Sequence, residues 1–550
     1  MLSEQPLENR FLIVDHYPFG RDMLRRNLLF MGAEKVDIAV SASIAITMCK
    51  KVDYDVVIAD YNLGDGKNGQ QLLEELRSQK MLSNVSAFII ITSETQRDAV
   101  LSTLEYQPDD YVAKPYTQDL LLRRVSKILR YKSSLHSVFQ SIDNKNYHLA
   151  IQGCQHYLQN YEEFSSRCLR ILGELYQNIN EMDKAQEIYD AELVANDSDW
   201  ARLGLAQVYM SHEYYNEAEA LLLELMDINY MYIDVYAKLA DIYIQASQYG
   251  KAEEVMAKAV TVSPLSIRFQ QDYAKLCERN NHYEPAISAW RSIIKISRNT
   301  QYESAENHLN LARCLNDFCE YINGYEDKKI TDEIIKNLDI IKNKFHADGD
   351  NELQSLFIEG RGFFAQGHKT AAAECMHSAK KIYGKNIDTV SSQSQIEFAK
   401  TLARFGDNPY AEKVLDELIE KTDDIETIAK ADKVLEEPVS KSGKEQIILL
   451  NRQGIKYFKT GEYNKAVVSF REAQMQFPKN IELNLNFVQS LLKLVSKTKN
   501  PNNKNMWLQE SEQCLAQIKD LKSSHKKFHS YRRLHKELMD LASNNTTVNS

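Results

Sequence analysis

Val56-Val57-Ile58-Ala59-Asp60-Tyr61-Asn62 is an apolar run that stops at a carboxylate. Runs of this length and composition read as strands buried on both faces of a parallel sheet. The polar residue then stands at the strand's carboxyl end, where doubly wound folds bind their ligands. Three more stretches have the same form: Phe11-Leu12-Ile13-Val14-Asp15, Ile89-Ile90-Ile91-Thr92 and Tyr111-Val112-Ala113-Lys114-Pro115. Asp15, Asp60, Thr92 and Lys114 are therefore expected to converge at one end of one sheet, and Gly69 belongs to the same set. Two carboxylates, a hydroxyl and an ammonium suit a hard divalent cation together with a phosphoryl group.

As a set, these stretches resemble the CheY-like receiver domain of bacterial response regulators, over residues 8–132. The resemblance implies a doubly wound (βα)5 fold in which Asp60 accepts a phosphoryl group from a sensor histidine kinase. It implies Mg²⁺ held by Asp15, Asp60 and the backbone carbonyl of Asn62. It also implies that Thr92 and Lys114 follow the phosphoryl oxygens and that Tyr111 changes rotamer on activation. One position departs from the pattern. The family usually carries two adjacent acids after its first strand, and this chain has Asp15-His16. Mg²⁺ prefers oxygen ligands in strict octahedral geometry, so His16 is expected to weaken the metal site. Three outcomes stay open: water fills the gap, the receiver works as a fixed docking module, or His16 itself carries phosphoryl groups.

The chain has 550 residues, 43% hydrophobic and 26% charged, which predicts an ordinary globular protein of two or more structural units. A net charge of −10 argues against general affinity for nucleic acid or anionic membrane. The eight cysteines show no metal-ligand spacing and read as reduced, packing thiols. No signal core and no run of eighteen apolar residues occurs, so a cytoplasmic location is expected.

Beyond residue 132 the period of the apolar residues changes from strand-like to helical. Ala218, Ala252 and Ala286 recur at a 34-residue period, each followed four residues later by Leu222, Met256 or Trp290. The middle unit reads Tyr236, Leu239, Ala240, Tyr243, Ala252, Met256, Ala259, Pro264, an arrangement similar to the tetratricopeptide (TPR) repeat. Small residues let two antiparallel helices approach, and aromatics fill the wedge between hairpins. One hairpin cannot bury its own apolar face, so neighbours must stack. Leu172–Tyr189, Gly360–Ala379, Phe398–Leu418 and Gly454–Pro478 fit the same template, and Ala150 with Cys154 suggests a degenerate first unit. The expected organisation is an α-solenoid over 134–435, irregular at 321–352, and a second block over 444–540 after a break at 436–443. Asn500–Asn503 reads as a loop and 542–550 as a disordered tail.

No Walker-type loop, nucleophile elbow, zinc-binding histidine pair or helix-turn-helix follows the receiver. The basic stretch Lys519–Lys536 reads as a solvated terminal helix. Output is thus expected from binding rather than from enzymatic or DNA-binding chemistry. The predicted partners are a sensor histidine kinase and a protein or peptide in a concave TPR groove near Asn310, Arg313, Asn451 and Arg452, with a homodimer open. The alternatives are a phosphate sink that drains a phosphorelay and a constitutive TPR scaffold.

Overall fold

The computed structural model describes residues 7–64, 66–92, 108–298, 300, 302–322, 328–345, 349–385, 390–498, 500–519 and 521–546. The described chain divides into two compact units, Met1–Tyr273 with Ile296–Glu303, and Ala274–Lys295 with Ser304–Ser550.

The first unit opens with a parallel sheet of β1 (Leu7–Val14), β2 (Ala33–Ala39), β3 (Val56–Asp60), β4 (Ala87–Thr92) and β5 (Asp110–Ala113), in the order β2-β1-β3-β4-β5. Helices α1 (Pro18–Phe30), α2 (Ala42–Cys49), α3 (Gly69–Ser78) and α4 (Gln118–Ser134) cover it. The helix expected between β4 and β5 falls at 93–107, outside the described residues. β3 and β4 are buried along their whole length. Alternate residues serve opposite faces, as strand geometry requires. Leu12, Val14, Val57, Phe88 and Ile90 join the core under α2 and α3. Phe11, Ile13, Ile58, Ile89 and Ile91 join Leu24, Leu28 and Val125 under α1 and α4. The register sets Asp60 opposite Ile91 and Thr92 opposite Ala113, which brings the polar strand ends level.

Helix α4 passes almost directly into the repeats. Only Leu135 separates it from α5 (His136–Asp143). Tyr131 and Leu135 share one apolar core with Val138, Phe139, Cys154, Phe164 and Cys168, and Val85 packs against it. Polar contacts fix the same junction. The Lys132 ammonium lies 2.7 Å from Asp109 Oδ1 and donates to the Asn84 carbonyl at 2.8 Å. The Asn84 backbone N–H and side-chain amide both donate to the Asp143 carboxylate. Asn84 and Val85 precede β4 and Asp109 precedes β5, so the repeats seat on the amino ends of these strands, opposite Asp60.

The repeated hairpins share a backbone device. Lys145, Asn180, Glu213, Ser247, Asn281, Gly367, Gly406 and Gly461 adopt positive φ in their turns. The N–H of each following residue reaches back five residues, as in Tyr214 to the Tyr209 carbonyl at 2.8 Å and Gln248 to the Tyr243 carbonyl at 2.7 Å. This is the left-handed helix ending that satisfies orphan carbonyls. Ala218, Ala252 and Ala286 are fully buried. Tyr189 fills the wedge next to two glycines, since a Cβ at Gly204 would come within 2.4 Å of its ring and one at Gly173 within 2.7 Å.

The second unit corrects several expectations. Most of 321–352 is regular, in helices Lys328–Lys344 and Gly349–Ala365, because Ile334, Leu338 and Ile341 form a buried helical stripe. Residues 323–327 and 346–348 lie outside the described residues. Asn500–Asn503 is a helix start rather than a loop. The Asn500 side chain caps Asn502 and Asn503, and Pro501 opens the helix, where a missing N–H does no harm. Helix Phe528–Thr546 runs into the segment read as a tail, anchored by the buried Leu534 and Leu538, and 547–550 lie outside the described residues. The break at 436–443 moves to 433–440, between helices Ile425–Asp432 and Lys441–Lys459. It does not separate two blocks, because the Lys433 ammonium donates to the Arg279 carbonyl, Lys479 to the Val434 carbonyl at 2.9 Å and Asn480 to the Glu436 carbonyl at 3.2 Å. Helices distant in sequence thus close on one another within this unit. Its interior holds Arg361 and Glu397, both fully buried and paired, beside Asp317 and Lys400.

Candidate functional site

Three strand ends and one helix start build the site. Asp60 closes β3, and its Oδ1 accepts the Asn62 N–H at 2.8 Å. The Lys114 ammonium, just past β5, is hydrogen-bonded to Asp60 Oδ2 and lies 3.7 Å from Asp15 Oδ2. Asp15 follows β1. Its Oδ1 accepts the Tyr17 N–H at 2.8 Å, and its carbonyl accepts from the Arg21 guanidinium at 2.8 Å. Its Oδ2 is buried without a hydrogen-bond partner. A side chain at position 20 would strike that oxygen, since a Cβ on Gly20 would lie 2.3 Å from it. Gly69 opens α3 against Asp60, where a Cβ would lie 2.4 Å from the Asp60 carbonyl.

The electrostatics follow from this crowding. Burial raises the Asp15 carboxyl above the ordinary carboxylate range. The Tyr17 N–H opposes the shift, the Asp60 charge adds to it, and Lys114 works against it. The Tyr116 phenol is pushed up to about 12 by burial and by Asp15 and Asp60. Two carboxylates against one ammonium leave a net negative pocket with one buried carboxylate oxygen that accepts no hydrogen bond. Those features fit a divalent cation such as Mg²⁺.

The other predicted residues fall around this centre. Thr92 is buried at the end of β4, and its carbonyl accepts the Lys114 N–H at 2.6 Å. Tyr111 is half-buried in β5 and packs on the core face that holds Ala59, Phe88 and Ile90. Asn62 is exposed in the loop after β3, and its carbonyl is within 2.8 Å of His16 Nδ1. His16 is therefore tied to the predicted ligand carbonyl.

Two participants escaped the sequence reading. Arg21 holds the Asp15 backbone from the first turns of α1, and no spacing rule points to it. Tyr116 carries a buried hydroxyl without a hydrogen-bond partner close to both carboxylates. Its place directly after Lys114-Pro115 was the one available signal. The predicted groove residues are largely engaged inside their own unit. Arg313 is buried and donates to Gln354, Glu306 and Asn310, while Asn451 bonds Glu482 at 3.3 Å and Asn486 at 2.9 Å. Long polar side chains on the inner helices were free to reach neighbouring helices, a choice that the repeat pattern does not encode.

Residues 11–126 match the response regulator receiver domain family, and residues 233–264 match a tetratricopeptide repeat. The chain is 29% identical over 119 residues to the chemotaxis protein CheY-3 of Vibrio cholerae, covering 22% of this chain and 90% of that protein. It is 31% identical over 115 residues to the regulatory protein VanRB of Enterococcus faecalis, covering 21% of this chain and 50% of that protein. The response regulator TrrA of Thermotoga maritima, solved in complex with Mg(2+)-BeF, is 28% identical with a TM-score of 0.20, covering 22% of this chain and 99% of that one. The chain carries a CheY-like receiver domain of the two-component type followed by helices that include a TPR repeat. No helix among the described residues is long and apolar enough to cross a membrane.

Proposed function

We propose that this protein is a response regulator that takes a phosphoryl group on Asp60 from a sensor histidine kinase and acts by binding a protein partner through its repeats. The observation that carries the reading is the meeting of Asp15, Asp60 and Lys114 at level strand ends, with one buried carboxylate oxygen left open. An Asp60 oxygen attacks phosphorus, and the phosphorus–nitrogen bond of the donor phosphohistidine breaks. The electron pair leaves with the imidazole, which takes up a proton, and Asp60 becomes an acyl phosphate. Lys114, already on Asp60, would follow the charge onto the phosphoryl oxygens, and Thr92 at the next strand end would offer its hydroxyl. Asp15, Asp60 and the Asn62 carbonyl would hold Mg²⁺, which when bound neutralises charge on the transferring group.

The output reading rests on the repeats. A TPR stack presents extended surface suited to proteins and peptides. Seating the repeats away from Asp60 leaves the reactive end open to a donor. The test is incubation of the full chain with acetyl phosphate and Mg²⁺, followed by intact-mass measurement. One phosphoryl group should be added, labile to base, and Asp60→Asn should add none. Uptake by Asp60→Asn would overturn the assignment. A pull-down that returns the same proteins for the parent and for Asp60→Ala would overturn control of binding by phosphorylation.

A further inference from the structure

His16 occupies the position where a second acid was expected, and the structure gives it a definite partner. Its Nδ1 lies 2.8 Å from the Asn62 carbonyl oxygen. A carbonyl can only accept, so Nδ1 carries the hydrogen. The ring is held from two sides. Tyr17 lies against it with ring centroids 3.8 Å apart, and Gly64 is so close that an added Cβ would be 3.6 Å from the His16 Cβ and from two ring atoms, Cγ and Cδ2. Gly64 has φ near +82°, a conformation that side-chain-bearing residues rarely adopt. Asn62 is fixed at its other atoms too. Its N–H donates to Asp60 Oδ1 at 2.8 Å, and its side-chain oxygen accepts the Gly64 N–H at 3.0 Å.

We infer that His16 is a positioning residue: its imidazole straps the β3–α3 loop so that the Asn62 carbonyl is held in place beside Asp60. This inference rests on the proposed receiver chemistry, in which that carbonyl is a metal ligand. A carbonyl oxygen has two lone pairs. The His16 N–H takes one, and the other stays free for a cation. His16 thus acts through Asn62, and the missing oxygen ligand is a separate matter. Partners of this kind, which orient a ligand from behind, typically change metal affinity by about 10–100-fold when removed. The His16 site is half-exposed, which favours the lower figure.

The side chain at position 16 can be varied to isolate the donor. An asparagine places its amide nitrogen at the same distance along the side chain as Nδ1 and can still donate to Asn62. An aspartate has the same shape but can only accept, so it meets the carbonyl as one acceptor facing another. The full chain is titrated with Mg²⁺ alone by calorimetry. In parallel, hydrogen exchange by mass spectrometry follows the peptide containing Asn62–Gly64 in Mg²⁺-free buffer. His16→Ala is expected to weaken Mg²⁺ about tenfold and to speed exchange in that peptide, while His16→Asn stays within about twofold of the parent in both. His16→Asp is expected to exchange as fast as His16→Ala. Exchange that is the same in the parent, His16→Ala and His16→Asn would overturn the strap, as would equal Mg²⁺ loss in the Ala and Asn variants. If the parent takes up no Mg²⁺ while exchange still separates Ala from Asn, the strap stands and the receiver reading fails.

Discussion

Replacing Lys132 with methionine should loosen the seat between sheet and repeats by about 3 kcal/mol, roughly a hundredfold in a local opening equilibrium. The side chain is buried at 8% exposure, with its ammonium 2.7 Å from Asp109 Oδ1, 2.8 Å from the Asn84 carbonyl and 4.7 Å from the Phe139 ring centroid. Burial pushes the ammonium below its ordinary range, and Asp109 restores part of that. Methionine keeps an unbranched apolar side chain and removes the charge with its contacts to Asp109, Asn84 and the Phe139 ring. Breaking a buried pair from one side costs about 3–5 kcal/mol because the other charge is left behind. Here Asp109 keeps the Phe88 N–H at 2.9 Å and Arg77 at 3.7 Å, which places the cost at the low end. The assay is native-state hydrogen exchange over Tyr131–Asp143, which reads local opening without requiring two-state unfolding of a long chain. Asp143→Asn should couple to it, because both groups meet Asn84. Labelling of Asp60 by acetyl phosphate should be unchanged. A change in protection below about threefold would refute the reasoning and shift the hold to the apolar contacts of Val85 and Tyr131.

Gly204→Ala should destabilise the repeats by about 2 kcal/mol in a thermal melt, because its Cβ would lie 2.4 Å from the Tyr189 ring; Tyr189→Leu in the same chain should recover part of the loss. Glu213→Gly should stabilise by about 1 kcal/mol, since this exposed residue holds φ at +63° in a hairpin turn; an unchanged melting temperature would speak against strain there. Asp15→Asn should abolish Mg²⁺ binding and raise receiver stability. The folded Asp15 pKa lies above its unfolded value, so the ionised group destabilises the fold increasingly as pH rises from the unfolded pKa through the folded one, and the gain from Asn should widen above about pH 4 and level off once the folded pKa is passed. The second unit should lose stability in acid. Burial alone would raise the Asp317 carboxyl, but Lys400 and Arg361 hold it below the ordinary range, and the stability this supplies is lost as pH falls below the unfolded value of about 4.

The receiver was legible because buried parallel strands advertise themselves as unbroken apolar runs, and a single polar residue marks each carboxyl end. That pattern alone sets Asp15, Asp60, Thr92 and Lys114 at strand ends. The alanine period likewise exposed the hairpins, because close helix approach tolerates few residue types. What stayed hidden has a physical cause in each case. Asn500–Asn503 read as a loop, although Pro501 is harmless at a helix start. The stretch 321–352 looked irregular because its charged residues mask the stripe of Ile334, Leu338 and Ile341. The His16–Asn62 bond and the Arg313 cluster join residues by side-chain reach, which leaves no periodic trace.

Seating the repeats on the amino ends of β4 and β5 sets the distance over which any signal must be carried. β4 runs six residues from Ala87 to Thr92, close to 20 Å at strand rise. Among the described residues, a charge gained at Asp60 would therefore have no direct contact with the repeats through which to act. It would have to work through the sheet and through α4, which leaves it. Close-packed interiors of this kind yield little. Any change that reached the far end would arrive through the last turns of α4, where Tyr131 and Lys132 already belong to the seat. The buried Lys132 stands on that route, so the firmness of its pairing with Asp109 would set how much of a change at Asp60 is felt beyond the sheet.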